Sequence, residues 1–203
     1  TFLTKNFINS YANIGLGCSE KAVIDLFGAN WQQDKRWQIF YCGIELQSFK
    51  RSCDLTSIRS QLGIPEDALV VGHIGRFERQ KNHDYLIDIA AELVKREPKT
   101  LMLSIGEGEL RSEIEAKVAR LGLGDRVMFL GVRKDVSELM LGAIDVLVLP
   151  SFHEGLPVVG IEAQAAGLPL VLSDTVTKET EIIPGLLRYL SLSQSPSIWA
   201  ETI

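Results

Sequence analysis

Cysteine is scarce in this chain: 203 residues hold three, Cys18, Cys42 and Cys53, with no CxxC pair. That set gives no even disulfide framework and favours a reducing compartment. No Asn-x-Ser/Thr acceptor occurs, and the three histidines, His73, His83 and His153, lack metal-ligand spacing, so no metal site is predicted. No apolar run approaches the roughly 18 residues needed to span a bilayer. Thr1 to Asn13 has neither the charged start nor the apolar middle of a signal peptide. Positive charge is also short: 21 Lys and Arg stand against 26 Asp and Glu, a formal net charge of −5. There is thus no general attraction to nucleic acid, and any phosphate must be recognised locally. The expectation is a soluble, cytoplasmic protein without a nucleic-acid partner. Because the chain does not begin with Met and nothing start-like precedes Phe2, it reads as a fragment.

What is present is an ordinary globular composition, 46% hydrophobic and 23% charged, suited to one α/β domain or slightly more. From about residue 51 the order is regular. Strands are predicted over Leu69–Ile74, Leu101–Ile105, Arg126–Leu130, Val146–Leu149, Leu170–Leu172 and Leu187–Leu192. Between them, Asn82 caps a helix with Tyr85, Leu86, Ile89, Ala90 and Leu93 on one stripe, ended by Pro98. A second helix carries Leu110, Ile114, Val118 and Leu121 and stops at Gly122; a short third spans Val136–Leu141. The fourth runs from Leu156 to Ala166, with Pro157 in its first turn and Gly167 as its stop. Strands alternating with helices imply a doubly wound, Rossmann-like parallel sheet covered on both faces, with its ligand at the carboxyl ends of the strands. Residues 1–50 differ. A helix over Phe2–Tyr11, a strand over Asn13–Cys18, a helix Glu20–Phe27 capped by Ser19 and a strand over Trp37–Tyr41 have no visible sheet to join. They must pack unusually, pair with another copy, or be partly mobile.

The strand-end rule gathers chemistry onto one rim. Gly75, Arg76 and Lys81 follow the first strand, Gly106 to Gly108 the second, Gly131, Val132 and Arg133 the third, and Glu154 to Val159 the fourth. Glu154 in the loop and Glu162, two turns down the helix, are separated by seven residues. The amides of Gly155, Leu156, Val158 and Val159 lie at or near the helix start, where they lack internal partners and face an anion. Arg supplies a rigid fork, Lys a mobile point charge and the helix its amides, which together suit a diphosphate. Taken singly, Arg76 and Lys81 read equally well as solvated charges, the glutamates as surface residues, the glycines as turn formers and His73 as core. Joint occurrence at strand ends favours a site.

The stretch DVLVLPSFHEGLPVVGIEAQAAGLPLVLSD (145–174) resembles the retaining GT-B glycosyltransferases, in particular family four, whose signature is a Glu, seven residues, Glu pair around a small-residue turn. Glu154, Gly155, Leu156, Pro157, Glu162, Ala163, Ala166 and Gly167 fall as they do in that family. The likeness continues through GCSEKA (17–22), GRFERQKN (75–82), IGEGEL (105–110) and VMFLGVRKDV (127–136). The resemblance implies that 51–203 is the C-terminal, donor-binding domain of such an enzyme. Residues 1–50 are then the tail of the N-terminal acceptor domain, with CGIELQSF (42–49) as the crossing. It implies that Arg76 and Lys81 hold the diphosphate of a UDP- or GDP-sugar, with Gly75, Gly106 and the backbone of Gly155, Leu156, Pro157, Val158 and Val159 beside it. Glu162 takes the ribose hydroxyls, Val132 lines the base pocket and Glu154 bonds the sugar; Glu154, Arg76 and Lys81 act catalytically. No Asp-x-Asp occurs, which argues against the metal-chelating GT-A type. The implied activity is metal-independent, cofactor-free sugar transfer with retention, to a glycan or lipid-linked acceptor held by the missing domain. The family's typical pathway is bacterial surface polysaccharide or glycolipid synthesis, and peripheral attachment of the full-length protein to the inner membrane face is compatible with it. A nucleotide-sugar epimerase or hydrolase of the same fold, and a non-catalytic binding module, are the alternatives.

Overall fold

The computed structural model describes residues 7, 8, 10–50 and 56–203. Cys53 and most of the helix expected over Phe2–Tyr11 lie outside them. Six strands form one wholly parallel sheet: β3 (Val70–Ile74), β4 (Leu101–Ile105), β5 (Val127–Gly131), β6 (Val146–Leu149), β7 (Leu170–Ser173) and β8 (Leu187–Leu190), in the order β5-β4-β3-β6-β7-β8. β4, β6 and β7 are buried along their whole lengths, as predominantly apolar strands should be when helices cover both faces.

The helices divide between those faces. On one side Ile58 of α2 (Thr56–Gln61), Leu139 and Met140 of α5 (Val136–Gly142) and Ala163 of α6 (Val158–Ala165) share a core with Leu103, Leu147 and Leu172. On the other, Leu86, Ile89 and Leu93 of α3 (His83–Arg96), Ile114 and Val118 of α4 (Arg111–Arg120) and Trp199 of α7 (Pro196–Thr202) pack on Val71, Met102 and Val148. Trp199 is fully buried and its ring meets Tyr85 edge-on at 5.8 Å. Leu121 departs from its predicted place on the α4 stripe: it lies beyond the helix as its C-cap and is exposed.

The N-terminal residues find a packing of their own. β1 (Gly15–Gly17) and β2 (Trp37–Ile39) pair in parallel, Leu16 opposite Gln38, in a two-stranded sheet separate from the large one. The helix α1 (Glu20–Phe27) joins them, with Ser19 as the expected N-cap, and Phe27 stacks on Trp37 at 4.3 Å. Within the chain this segment forms a local β-α-β unit.

Connectivity reverses between β3 and β6. The two pair only at Val71–Val146 and Gly72–Leu147, after which the strands part. Beyond that point His73 Nδ1 lies 2.8 Å from the Val148 carbonyl, so a side chain closes the gap that the backbone ladder leaves. The crevice so opened at the carboxyl ends is where an open α/β sheet takes its ligand.

Candidate functional site at the β3–β6 crevice

After β3 the chain turns through Gly75 and Arg76 into a short 3₁₀ turn, Arg79–Lys81, and then α3. After β6 it runs through Pro150 to Pro157 into α6. These two connections are laced together. Phe152 N donates to Gln80 O at 2.9 Å, Gln80 Nε2 to His153 O at 2.9 Å, and Asn82 Nδ2 to Pro150 O at 3.1 Å. Asn82 occupies the N-cap position predicted for it, but in a left-handed conformation (φ 54°), and its amide is spent across the crevice instead of on the helix.

At the centre Lys81 Nζ sits 2.6 Å from Glu154 Oε1, and Gln80 Nε2 reaches Glu154 Oε2 at 3.3 Å. Their side chains are 17% and 8% exposed, so the pair is largely desolvated. The two residues assigned to diphosphate and sugar are therefore bonded to each other. Arg76 lies apart from that pair: it is 77% exposed and pairs with Glu78 at 2.9 Å. A side chain so exposed can exchange its surface partner for an incoming anion.

The carbonyl of Gly155 accepts from Ser19 Oγ at 2.6 Å, while the amides of Gly155, Leu156, Val158 and Val159 have no acceptor among the described residues. Pro157 is the N-cap of α6, extended at φ −71° and ψ 101°, one residue before the first turn predicted for it. It still lacks a donor where one would be orphaned. Helix α6 begins at Val158, which puts Glu162 about one turn in, not two. Burial raises the Glu162 carboxyl above its ordinary range, and it has no hydrogen-bond partner among the described residues, as a group awaiting donors would.

The outer rim is built by close backbone approach. Gly106, at φ +138°, donates to Gly131 O at 2.9 Å, and a Cβ there would collide with the Gly75 carbonyl. Gly106 is thus required by packing, whatever else it does. Val132, just past β5, is 75% exposed, and Arg133 is held by Asp135. Both stand on the same strand-end rim, free of core packing.

Beneath the crevice lie two fully buried histidines. Burial pushes His73 down to about 4, against the pull of the Val148 carbonyl, and lowers His83 in the same direction. The rings meet edge-on at 4.6 Å, and His83 stacks on Phe77 at 4.1 Å. His73 is core, as predicted, yet its bond to Val148 also bridges β3 and β6, a role periodicity cannot show. Gln80 and Ser19 were likewise missed as parts of the rim. Gln80 and Ser19 lie inside the motifs GRFERQKN and GCSEKA, the only signal that could have marked them.

Among the described residues no cluster of His, Cys, Asp or Glu could hold a metal ion, and no helix is long and apolar enough to cross a membrane. With that geometry in view, likeness to known proteins adds the lineage. Over 187 residues the chain is 40% identical to the protein named "Putative glycosyltransferase EpsF" of Bacillus subtilis (strain 168), covering 92% of this chain and 48% of that protein. Anabaena HepE, solved with UDP-glucose, superposes with a TM-score of 0.82 at 25% identity over 99% of this chain and 56% of its own. WaaG, a glycosyltransferase involved in lipopolysaccharide biosynthesis, gives 0.79 at 27% identity over 92% and 51%. The chain therefore spans about half the length of these proteins. Residues 54–197 match the family model described as glycosyl transferases group 1, and the chain belongs to that family.

Proposed function

We propose that this chain is the donor-holding part of a glycosyltransferase that moves a sugar from a nucleotide-diphosphate sugar to an acceptor hydroxyl with retention, without metal or cofactor. One observation carries the reading. Where β3 and β6 part, the desolvated Lys81–Glu154 pair is joined through the chain to four backbone amides at the start of α6 that have no acceptor among the described residues. Amides at a helix start beside a buried cation suit a diphosphate, and the exposed Arg76 can leave Glu78 to close over it. HepE, at 25% identity, was solved with UDP-glucose, which supports a nucleotide-sugar donor here.

The chemistry follows from charge. As the bond from sugar to phosphate breaks, negative charge grows on the diphosphate, and Arg76, Lys81 and the amides of Gly155, Leu156, Val158 and Val159 stabilise it more than in the ground state. Glu154 holds the sugar while anchored by Lys81, and Glu162 takes the ribose hydroxyls. Val132 borders the base, with Gly75 and Gly106 shaping the floor. Residues 1–50 are the end of an acceptor domain whose closure would exclude water. The acceptor is a glycan or lipid-linked sugar in surface polysaccharide or glycolipid synthesis, at the cytoplasmic side of a membrane, a reading that the WaaG likeness supports.

A thermal-shift and calorimetric screen against UDP, GDP, ADP and their sugars tests the donor assignment; a ligand at a hundred times its Kd adds about 2.7 kcal/mol of stability. Binding of at least one diphosphate, tighter than that of its bare nucleoside, is expected. Absence of binding to all three overturns the reading. Release of free or isomerised sugar without acceptor would assign a hydrolase or epimerase instead.

A further inference from the structure

We propose that Ser19, 136 positions before Gly155 in the chain, is a positioning residue for the donor diphosphate: it orients the Gly155–Leu156 peptide so that the Leu156 amide faces the phosphate. The inference rests on the donor site proposed above and adds to it a residue from the N-terminal unit.

Ser19 is fully buried, and its hydroxyl does two things at once. Its oxygen accepts from Ala22 N at 3.1 Å, capping α1, and its proton goes to the Gly155 carbonyl at 2.6 Å. A trans peptide is planar, with its C=O and N–H pointing in opposite directions. Pinning the Gly155 carbonyl toward α1 therefore turns the N–H of the same peptide, that of Leu156, away from α1, and that amide has no acceptor among the described residues. The approach is close. A Cβ on residue 155 would lie 2.9 Å from Cys18 Sγ, so a larger residue there would have to displace that side chain.

The flanks of this peptide are fixed independently. Glu154 is held by Lys81 and Gln80, and the Leu156 side chain is buried. Ser19 is in turn fixed from outside: the Glu179 carboxylate, on the segment after β7, accepts from Glu20 N at 2.9 Å and from Tyr41 Oη at 2.9 Å. Burial alone would raise Glu179, but these bonds outweigh it and hold the carboxyl below its ordinary range, so it receives them ionised. The loop that would meet the phosphate is thus clamped from the β3 side by Lys81 and from the α1 side by Ser19.

A capping role alone makes a different prediction, and three variants separate the two. Ser19→Thr keeps acceptor and donor; Ser19→Asp keeps the capping acceptor but has no proton for the Gly155 carbonyl; Ser19→Ala has neither. Calorimetry with UDP and GDP, each against its nucleoside, should show at least a fivefold loss of diphosphate affinity in Ser19→Ala and Ser19→Asp, with nucleoside affinity within twofold and Ser19→Thr near wild type. In the ligand-free protein the Leu156 amide ¹H–¹⁵N resonance should move in Ser19→Ala and stay in Ser19→Thr, a readout available even where Ser19→Asp does not fold. Diphosphate affinity within twofold of wild type in Ser19→Ala, an equal loss for nucleoside and diphosphate, or an unmoved Leu156 amide overturns the proposal. A wild-type protein that binds neither UDP, GDP nor ADP overturns the donor reading first, a failure distinguishable because no substitution is needed to see it.

Discussion

Lys81 Nζ and Glu154 Oε1 lie 2.6 Å apart, an ion pair between residues 73 positions apart, formed where two strands of a parallel sheet separate. The pair is shielded from water, so its loss is felt in both stability and binding.

Lys81→Ala strands a carboxylate that is 8% exposed and should cost about 3 kcal/mol of folding stability, the range for a buried pair broken from one side. Glu154→Gln should cost less, because Lys81 retains more access to water. The double variant should lose less than the sum of the two, since neither charge is then left alone. Urea denaturation of the three proteins measures the coupling; strictly additive losses would refute it.

Arg76→Ala should leave stability within about 0.5 kcal/mol, since the side chain is exposed and its pair with Glu78 lies at the surface. The same change should weaken nucleoside diphosphate binding by about 1.5 to 3 kcal/mol, the scale of a charge-assisted hydrogen bond, and spare the nucleoside. Calorimetry with both ligands decides: equal losses would mean that Arg76 does not meet phosphate.

Glu162→Gln should stabilise the free protein at neutral pH and weaken its ligand binding. Burial raises the Glu162 carboxyl, so over the window above the ordinary carboxylate range the folded state keeps a proton that the unfolded state has released. Wild-type stability then falls as pH rises through that window and stays lower above it. The amide variant escapes this loss, and the two proteins should converge in acid. Ribonucleoside diphosphate binding should drop by about 1 to 3 kcal/mol, and binding of the 2′-deoxy analogue by less. Denaturation across pH, paired with calorimetry, checks both halves.

His73 gives the opposite slope. Its imidazole is depressed from 6.5 to about 4 by burial, with the Lys81 charge adding to the effect and Glu154 and the Val148 carbonyl opposing it. The unfolded chain takes up a proton first, so stability is lost as pH falls from about 6.5 toward 4, on the order of 3 kcal/mol in all. His83, shifted the same way, adds to the loss. His73→Gln should flatten part of this dependence and His83→Phe another part, measured by denaturation at several pH values; an unchanged slope in both variants would show that acid acts elsewhere.

Much of the fold was legible because buried parallel strands are written as apolar runs. β3, β4, β6 and β7 start and stop within a residue of their predicted ends, and β5 is displaced by one. β8 ends two residues early, at Leu190, where the chain turns toward α7. Helix α3 was readable from its stripe and α1 from Ser19. Two helices were not. α2 (TSIRSQ) is short and mostly polar, and α7 starts at a proline after a serine-rich stretch and is anchored by Trp199 and Ala200, whose burial comes from packing with α3. The rim residues Arg76, Lys81, Glu154 and Glu162 were legible as types at strand ends, but their partners were not, because a partner is a property of two chain segments.

The sequence by itself determined the strands, their parallel winding and the family, since each depends on local pattern: apolar runs, helix stripes, glycines at turns and the Glu154, Gly155, Leu156, Pro157 and Glu162 motif. Only the tertiary structure decided that Lys81 binds Glu154 instead of standing free, that Asn82 bonds Pro150 instead of capping α3, and that β1 and β2 pair with each other. The reason is geometric. Residues far apart along the chain meet because β3 and β6 are neighbours at the point where the winding reverses, and because α1 comes to rest on Gly155.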